Sequence, residues 1–255
     1  MKIAVCVKHA IDETELKVDS GGNPQLKGAA TKMSTFDKNA VEEALRLRAS
    51  HSGEVAIVTV GTPEAKKTMK EALAMGADRG VLINADPMAM ETRRTAELLG
   101  AALKKGGPYD VILCSEGSSD IYSGLVPPML GEILGFPYVG YARRIEITGQ
   151  TAKVERALED SVEVVEAPLP VLISVVSEIN EPRYPTLIQI MQAGKKPMEE
   201  LGPDALIPGA KASTSAIVSM KAQAMARKRV VFEGPAEETA KKLIEALSAE
   251  GVLPR

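Results

Sequence analysis

Short continuous apolar runs alternate with stretches of helical spacing along residues 1–135. Lys2–Val7 (KIAVCV) is apolar after its lysine, which predicts a central strand buried on both faces. Residues 16–26 alternate apolar and polar around Ser20-Gly21-Gly22-Asn23, a predicted hairpin excursion. Ser34-Thr35-Phe36-Asp37 offers helix N-caps, and Ala40, Val41, Ala44, Leu45 and Leu47 form the stripe of the helix behind it. Val55–Val60 is the second predicted strand. Thr62 can cap and Pro63 can open the next helix, which ends at Gly76. Arg79–Ile83 is the third strand, 92–104 the third helix and Val111–Cys114 the fourth strand. Pro127 and Pro128 mark the first turn of a fourth helix that runs to Leu134. Strand and helix in strict alternation predict a parallel sheet covered on both faces.

From Tyr138 the pattern changes. Ile145–Ile147, Ala152–Leu158 and Val162–Val165 are short and alternating, as expected of antiparallel strands added to the sheet. Residues 169–176 are apolar again, and 182–186 form an extended turn. The short helical stretch 187–193 carries Leu187, Ile188, Ile190 and Met191. These side chains either fold into the core or, beside Lys195 and Lys196, make a docking surface. Residues 201–230 lack periodicity, which reads either as an arm lying on a partner or as a surface tail. Met220 and Met225 in that stretch are adaptable side chains suited to an interface. An amphipathic helix over 236–247 follows. The expected division is an α/β domain over 1–198 and an arm with its helix over 199–255.

Composition narrows the classes. With 255 residues, 45% of them hydrophobic, the chain can build a large globular core. Aromatics at 3% with no Trp leave no platform for stacking bare bases, and a net charge of −3 leaves no basic footprint. No nucleic-acid partner is expected. Cys6 and Cys114 alone make no disulfide framework, and the N-terminal apolar run is too short for a signal peptide. A cytoplasmic protein is expected, meeting membranes only through partners.

In such sheets ligands gather at the carboxyl ends of the strands, near the switch in strand order. Three loops fall there: Lys8–Ala10 together with Ser34–Asp37, Val60–Thr62, and Ser115–Tyr122. The last (SEGSSDIY) joins a strand to a helix start through small polar residues. Gly lets a ligand approach, Ser hydroxyls and free N–H groups donate, and the helix dipole favours an anion. An ordinary surface loop has the same outline. Cys6 and Cys114 lie beneath such a ligand if their strands are neighbours; buried thiols are also commonly inert. No G-x-G-x-x-G, G-x-x-x-x-G-K-[ST], G-x-S-x-G or H-E-x-x-H occurs, so no catalytic residue is assigned. Two histidines are too few for an ordinary His-based metal site, and no metal is expected. Glu42 and Glu43, near Arg46 and Arg48, read as a solvated, salt-bridged helix face.

Several words taken in order resemble the beta subunits of electron transfer flavoproteins. They are V-C-V-K-H at Val5–His9, A-L-A-M-G-A-D-R-G at Ala72–Gly80 and V-E-R-A-L-E at Val154–Glu159. The strongest are N-E-P-R-Y-P-T-L at Asn180–Leu187 and I-M-x-A-x-K-K-P at Ile190–Pro197. The resemblance implies a Rossmann-like α/β fold of the adenine nucleotide alpha hydrolase-like kind, with an extended C-terminal arm. It also implies a heterodimer whose alpha subunit holds an FAD and is wrapped by that arm. The beta subunit's own site takes AMP in simple carriers, where its role is structural. In bifurcating members it takes a second FAD that accepts hydride from NADH.

The family's nucleotide contacts carry over to Cys6, Val7, Lys8, His9, Ser34, Thr35, Phe36, Asp37, Val60, Gly61, Thr62, Cys114 and the loop from Glu116. Leu187, with Ile188 and Met191 beside it, corresponds to the anchor for dehydrogenases of the acyl-CoA type. Common members carry G-K-Q-A-I-D-x-D in the loop, so Glu116 stands where the family has Lys, and Asp120 keeps its acidic position. The E-G-S-x-D-x-Y form, Glu116–Tyr122, is similar to the FixA branch. Its members work with FixB, the quinone-reductase-like FixC and the ferredoxin-like FixX, and are linked to bifurcation from NADH. That branch usually continues Gln-Gln-Val-Gly, where this chain has Ser123-Gly124-Leu125-Val126-Pro127. Like charge makes Glu116 and Asp120 poor neighbours for phosphate, and better acceptors for ribose, ribityl or flavin groups. Gly117, Ser118, Ser119, Ser123 and Gly124 are the better phosphate donors, an arrangement expected to hold FAD. A universal-stress-type nucleotide-binding module shares the sheet plan, but the loop lacks its glycine phosphate motif. An ATP-pyrophosphatase needs S-G-G-x-D-S after the first strand, where Lys8-His9-Ala10-Ile11 stands.

Overall fold

In the computed structural model, which describes residues 1–209, 217–222 and 228–253, the first elements follow the predicted alternation. They are β1 (Lys2–Cys6), β2 (His9–Ile11), β3 (Thr31–Met33), α1 (Thr35–His51), β4 (Glu54–Gly61) and α2 (Lys66–Met75). Next come β5 (Arg79–Asn84), α3 (Thr92–Gly106), β6 (Val111–Ser115) and α4 (Val126–Leu134). The later elements are β7 (Tyr138–Thr148), β8 (Thr151–Ala157), β9 (Val162–Pro168), β10 (Val171–Val175), α5 (Leu187–Ala193), β11 (Met198–Leu201), α6 (Pro203–Leu206) and α7 (Ala236–Ala249).

One sheet runs in the order β11-β5-β4-β1-β6-β10-β7-β8-β9. All its pairs are parallel except β7 with β8 and β8 with β9, so the alternating segments do add antiparallel strands to a parallel sheet. From β1 the chain winds outward through β4 and β5, then returns to β6 on the other side of β1. That places the topological switch between β1 and β6. Side chains of β1 alternate between two cores. Ile3 and Val5 pack with α1 and α2 residues such as Val41, Leu45 and Leu73, and Ala4 and Cys6 with α3 and α4 residues such as Leu98, Leu103 and Leu130. Burial on both faces is why the strand reads as continuously apolar. Helices α3 and α4 approach so closely that a Cβ on Gly100 would sit 2.7 Å from Ile133 Cγ2.

Four readings change. The expected hairpin over 16–26 reduces to one bridge, Val18 to Pro24, and the two-stranded ribbon that forms is β2 with β3. Strand β7 starts at Tyr138, well before the alternation, because its first residues pair in parallel with buried β10. Glu42 and Glu43 are buried, only 4% and 7% exposed, rather than on a solvated face. Segment 177–183 covers them and supplies their partners. Finally, β11 pairs along β5 from Met198 to Leu201, so the sheet continues past residue 198, and the first unit spans Met1–Met220. The second unit, Lys221–Arg255, contains α7, which exposes Leu243 and Ile244. Met225 of the expected arm lies outside the described residues.

Candidate functional site

At the carboxyl ends of β1, β4, β5 and β6 a cleft of about 930 Å³ opens. Of the residues expected there, Cys6, Val7, Lys8, Asp37, Val60, Cys114, Gly117, Ser118, Ser123 and Gly124 line it. Cys6 and Cys114 lie on neighbouring strands and face the same core, so the two thiols share the floor of the cleft. The hydrogen bond with Cys6 and deep burial push the Cys114 thiol well up, which keeps it uncharged.

Asp120 faces inward rather than into the cleft. Its side chain is 7% exposed, with Oδ1 2.7 Å from Lys8 Nζ and Oδ2 accepting from Ile11 N at 3.2 Å. Burial raises the Asp120 carboxyl, but Lys8, Ser118 and the Ile11 N–H outweigh it and hold it below the usual range. Lys8 Nζ also reaches Ser118 Oγ at 3.4 Å. The pair is a latch that fastens the loop after β6 to the end of β1.

Asp37 sits under the latch, at the start of α1, and accepts from Lys8 N at 2.6 Å. Ser115 Oγ lies 2.5 Å from its Oδ1 and 2.8 Å from Gly117 O. Burial pushes the Asp37 carboxyl up to about 7, against the Ser115 and Lys8 hydrogen bonds. Ser115 has one proton to give. With Asp37 protonated, the chain Asp37 O–H to Ser115 Oγ to Gly117 O satisfies every group. A folded-state pKa above the unfolded 3.8 means the native state holds a proton that the unfolded chain releases. Stability is therefore expected to fall as pH rises from about 4 to about 7 and then to level. Asp37→Asn should flatten that decline in thermal midpoints measured across the range; an unchanged slope would assign it to another group.

The remaining predicted residues surround the cleft without lining it. Ser34 Oγ accepts from Ser119 N at 3.2 Å, and Thr35 is exposed in the first turn of α1. The Phe36 and Tyr122 rings meet edge-on at 5.6 Å. Burial raises the Glu116 carboxyl, which faces Tyr122 and Glu178. A Cβ on Gly117 would lie 2.8 Å from the Tyr122 ring, so the loop closes only because that residue is Gly. Leu125 stands exposed just before α4. Gly61 and Thr62 lead into the turn Pro63–Ala65. His9 turns away toward α2, its Nδ1 2.8 Å from Thr68 Oγ1, and burial lowers its pKa. His9 Nε2 and Ser119 Oγ are buried with no hydrogen-bond partner among the described residues.

One wall was not foreseen. Pro87, Met88, Ala89 and Met90 form an apolar lip with Leu99 and Val126 behind it. Asp86 starts the lip by accepting from Met88 N at 2.9 Å. The signal was present: Asp86-Pro87 follows β5, and the rule about carboxyl ends applies to that strand as to its neighbours. The cleft thus combines the hydroxyls of Ser115, Ser118 and Ser123 with the apolar lip, beside which Glu91, Thr92 and Thr95 add polar groups, a mixed lining suited to a ligand with both polar and apolar parts.

On the side of the sheet where α1 and α2 pack, α5 begins with a capping box, Thr186 Oγ1 with Gln189 N and Gln189 Oε1 with Thr186 N. Leu187, Ile188, Ile190 and Met191 are 74%, 67%, 53% and 71% exposed, which rules out the alternative that they enter this chain's core.

The electron transfer flavoprotein domain family matches residues 26–206. The electron transfer flavoprotein subunit beta of Thermoanaerobacterium thermosaccharolyticum is 34% identical over 99% of this chain and 100% of its own. That of Bacillus subtilis is 34% identical over 98% of both, and that of Clostridium acetobutylicum 32% identical over 98% and 99%. With the family matched over most of its length and full-length relatives above the level that marks common descent, the chain belongs to the electron transfer flavoprotein beta subunits.

Proposed function

We propose that the cleft holds an adenine nucleotide, FAD in preference to AMP, as part of a heterodimer with an electron transfer flavoprotein alpha subunit that carries its own FAD. The observation that supports FAD is the cleft itself. At about 930 Å³ it lies near the top of the roughly 300–1,000 Å³ that enclose a drug-sized ligand. Its lining joins the small polar residues after β6 to the apolar lip after β5, as a ligand with both a phosphate and a ring system requires. Gly117 lines the cleft and lets the loop fold back against its own Tyr122 ring. When bound, a flavin supplies one- and two-electron redox chemistry that no side chain here can.

The chain's own residues position and insulate it. Ser118, Ser123 and the loop N–H groups face the phosphates. Lys8 is committed to Asp120, and burial pushes the Asp37 carboxyl up to about 7, which lessens the negative charge near the phosphates. Leu187, Ile188 and Met191 dock the redox partner, and the arm that follows β11 wraps the alpha subunit. Electrons pass between NADH or an acyl-CoA-type dehydrogenase, the alpha-subunit FAD and a FixC-like quinone reductase with a FixX-like ferredoxin, by flavin-based bifurcation. The complex works in the cytoplasm and reaches the membrane only through such partners.

The test is a nucleotide count on the co-expressed heterodimer, denatured and resolved by chromatography. Two FAD and no AMP are expected. One FAD and one AMP would leave a simple electron carrier with a structural nucleotide.

A further inference from the structure

Helix α1 buries three polar side chains beyond Asp37. Asn39, Glu42 and Glu43 are 7%, 4% and 7% exposed, a rare load for one helix unless each group has a partner. All three direct their polar atoms at one segment, Ser177–Arg183, which leads from β10 toward α5. Asn39 Nδ2 donates to Ser177 O at 2.9 Å and Asn180 O at 2.8 Å. Asn180 Nδ2 donates back to Asn39 O at 3.0 Å and to Glu43 Oε2 at 3.1 Å. Glu42 takes the Arg183 guanidinium in a two-pronged pair, Nε to Oε2 at 2.7 Å and Nη2 to Oε1 at 3.0 Å, and also the Arg183 N–H at 3.2 Å. Burial raises the Glu42 carboxyl, and Arg183 with Arg46 more than reverses that.

Helix α5 needs such fixings. Four of its seven residues are exposed apolar ones and only Ala193 is buried, so little core packing holds it in place. It is pinned from both ends. The α1 cluster holds the chain before it, and after it Lys196 Nζ donates to Leu73 O at 2.8 Å and Ala77 O at 2.6 Å. The helix that makes the first fixing starts beside the cleft, with Ser34 at its N-cap and Asp37 in its first turn.

We infer that Asn39 and Glu42 are positioning residues for docking: they bolt Ser177–Arg183 to α1 and so set where α5 is presented relative to the nucleotide cleft. The inference rests on the docking role proposed for α5. A hydrophobic face presented by a loosely held helix would meet its partner in many orientations, and each ordering cost would come out of affinity. Bolting it to the cleft's own helix presents it in one.

The test uses amide hydrogen exchange on the purified heterodimer with the alpha subunit. Glu42→Gln removes the charge and keeps the shape, and Arg183→Lys keeps the charge and loses the fork. Each should speed exchange across Tyr184–Ala193 about tenfold, with the amides of β1, β4 and β6 unchanged and nucleotide content at the wild-type level. Leu187→Ala serves as the contrast, because it alters the docking face and should leave exchange as it was. Unchanged exchange over Tyr184–Ala193 in both Glu42→Gln and Arg183→Lys would overturn the inference. So would acceleration spread evenly over the sheet, which marks a general loss of stability. Neither result depends on whether Leu187→Ala affects electron transfer, which tests the docking role alone.

Discussion

Asp120→Ala is expected to cut the nucleotide recovered from the purified heterodimer to roughly a tenth. The carboxylate is nearly buried and, besides the Ser118 hydrogen bond, meets Lys8 Nζ at 2.7 Å, Ile11 N at 3.2 Å and Ile121 N at 2.8 Å. Removing it leaves the Lys8 ammonium, whose side chain is 28% exposed, without a counter-ion. Breaking a buried pair costs about 3–5 kcal/mol, and the partial exposure of Lys8 puts this case near about 2–3 kcal/mol. That energy is lost where it matters, since the latch is what draws Ser118–Gly124 over the cleft. Asp120→Asn keeps the shape and one acceptor, and should fall between alanine and wild type. Chromatographic FAD and AMP content, read beside the thermal midpoint, separates two roles. A lowered midpoint with full nucleotide would show that the latch serves the fold alone. Because the folded Asp120 pKa is depressed, the latch contributes above the ordinary carboxylate range and is lost only as pH falls through it.

Leu187→Ala should raise the partner concentration needed for half-maximal electron transfer about thirtyfold, while the heterodimer and its flavin persist. Leu187 is 74% exposed and sits in the first turn of a helix whose cap it does not share. The fold therefore loses almost nothing when it is shortened. An interface that buries it loses about 2 kcal/mol, the transfer energy of the missing carbons. Steady-state reduction by an acyl-CoA dehydrogenase, and reoxidation by a quinone reductase, would each read this directly. Rates unchanged with both partners would remove α5 from the docking surface.

The two variants act on features of unequal legibility. Leu187 was visible twice in the chain, as part of an apolar run beside lysines and in the word N-E-P-R-Y-P-T-L, but its exposure was not. An apolar helical turn has the same spacing whether it faces a core or a partner. Asp120 was visible as an acidic position in the loop, where charge argued for contact with a ligand's hydroxyls. Its commitment to Lys8 spans 112 positions and depends on β1 and β6 being neighbours.

What the amino-acid order determined by itself is the part governed by local periodicity. Continuous apolar runs with caps and glycine stops between them set the strands and helices, and their alternation set a parallel sheet with its ligand loops at one edge. The tertiary structure alone decided the pairs that lie far apart in sequence. The ribbon of β2 with β3 and the edge strand β11 are three and four residues long, too short to carry a period, and exist because buried neighbours complete their hydrogen bonds. Glu42 and Glu43 have the spacing of a solvated face and are buried because Asn180 and Arg183 arrive from the far end of the domain to pair with them. The Met88–Met90 lip likewise reaches the site only when β5 takes its place beside β4. Polar groups record what they are in the sequence, but what they pair with is set by which strands become neighbours.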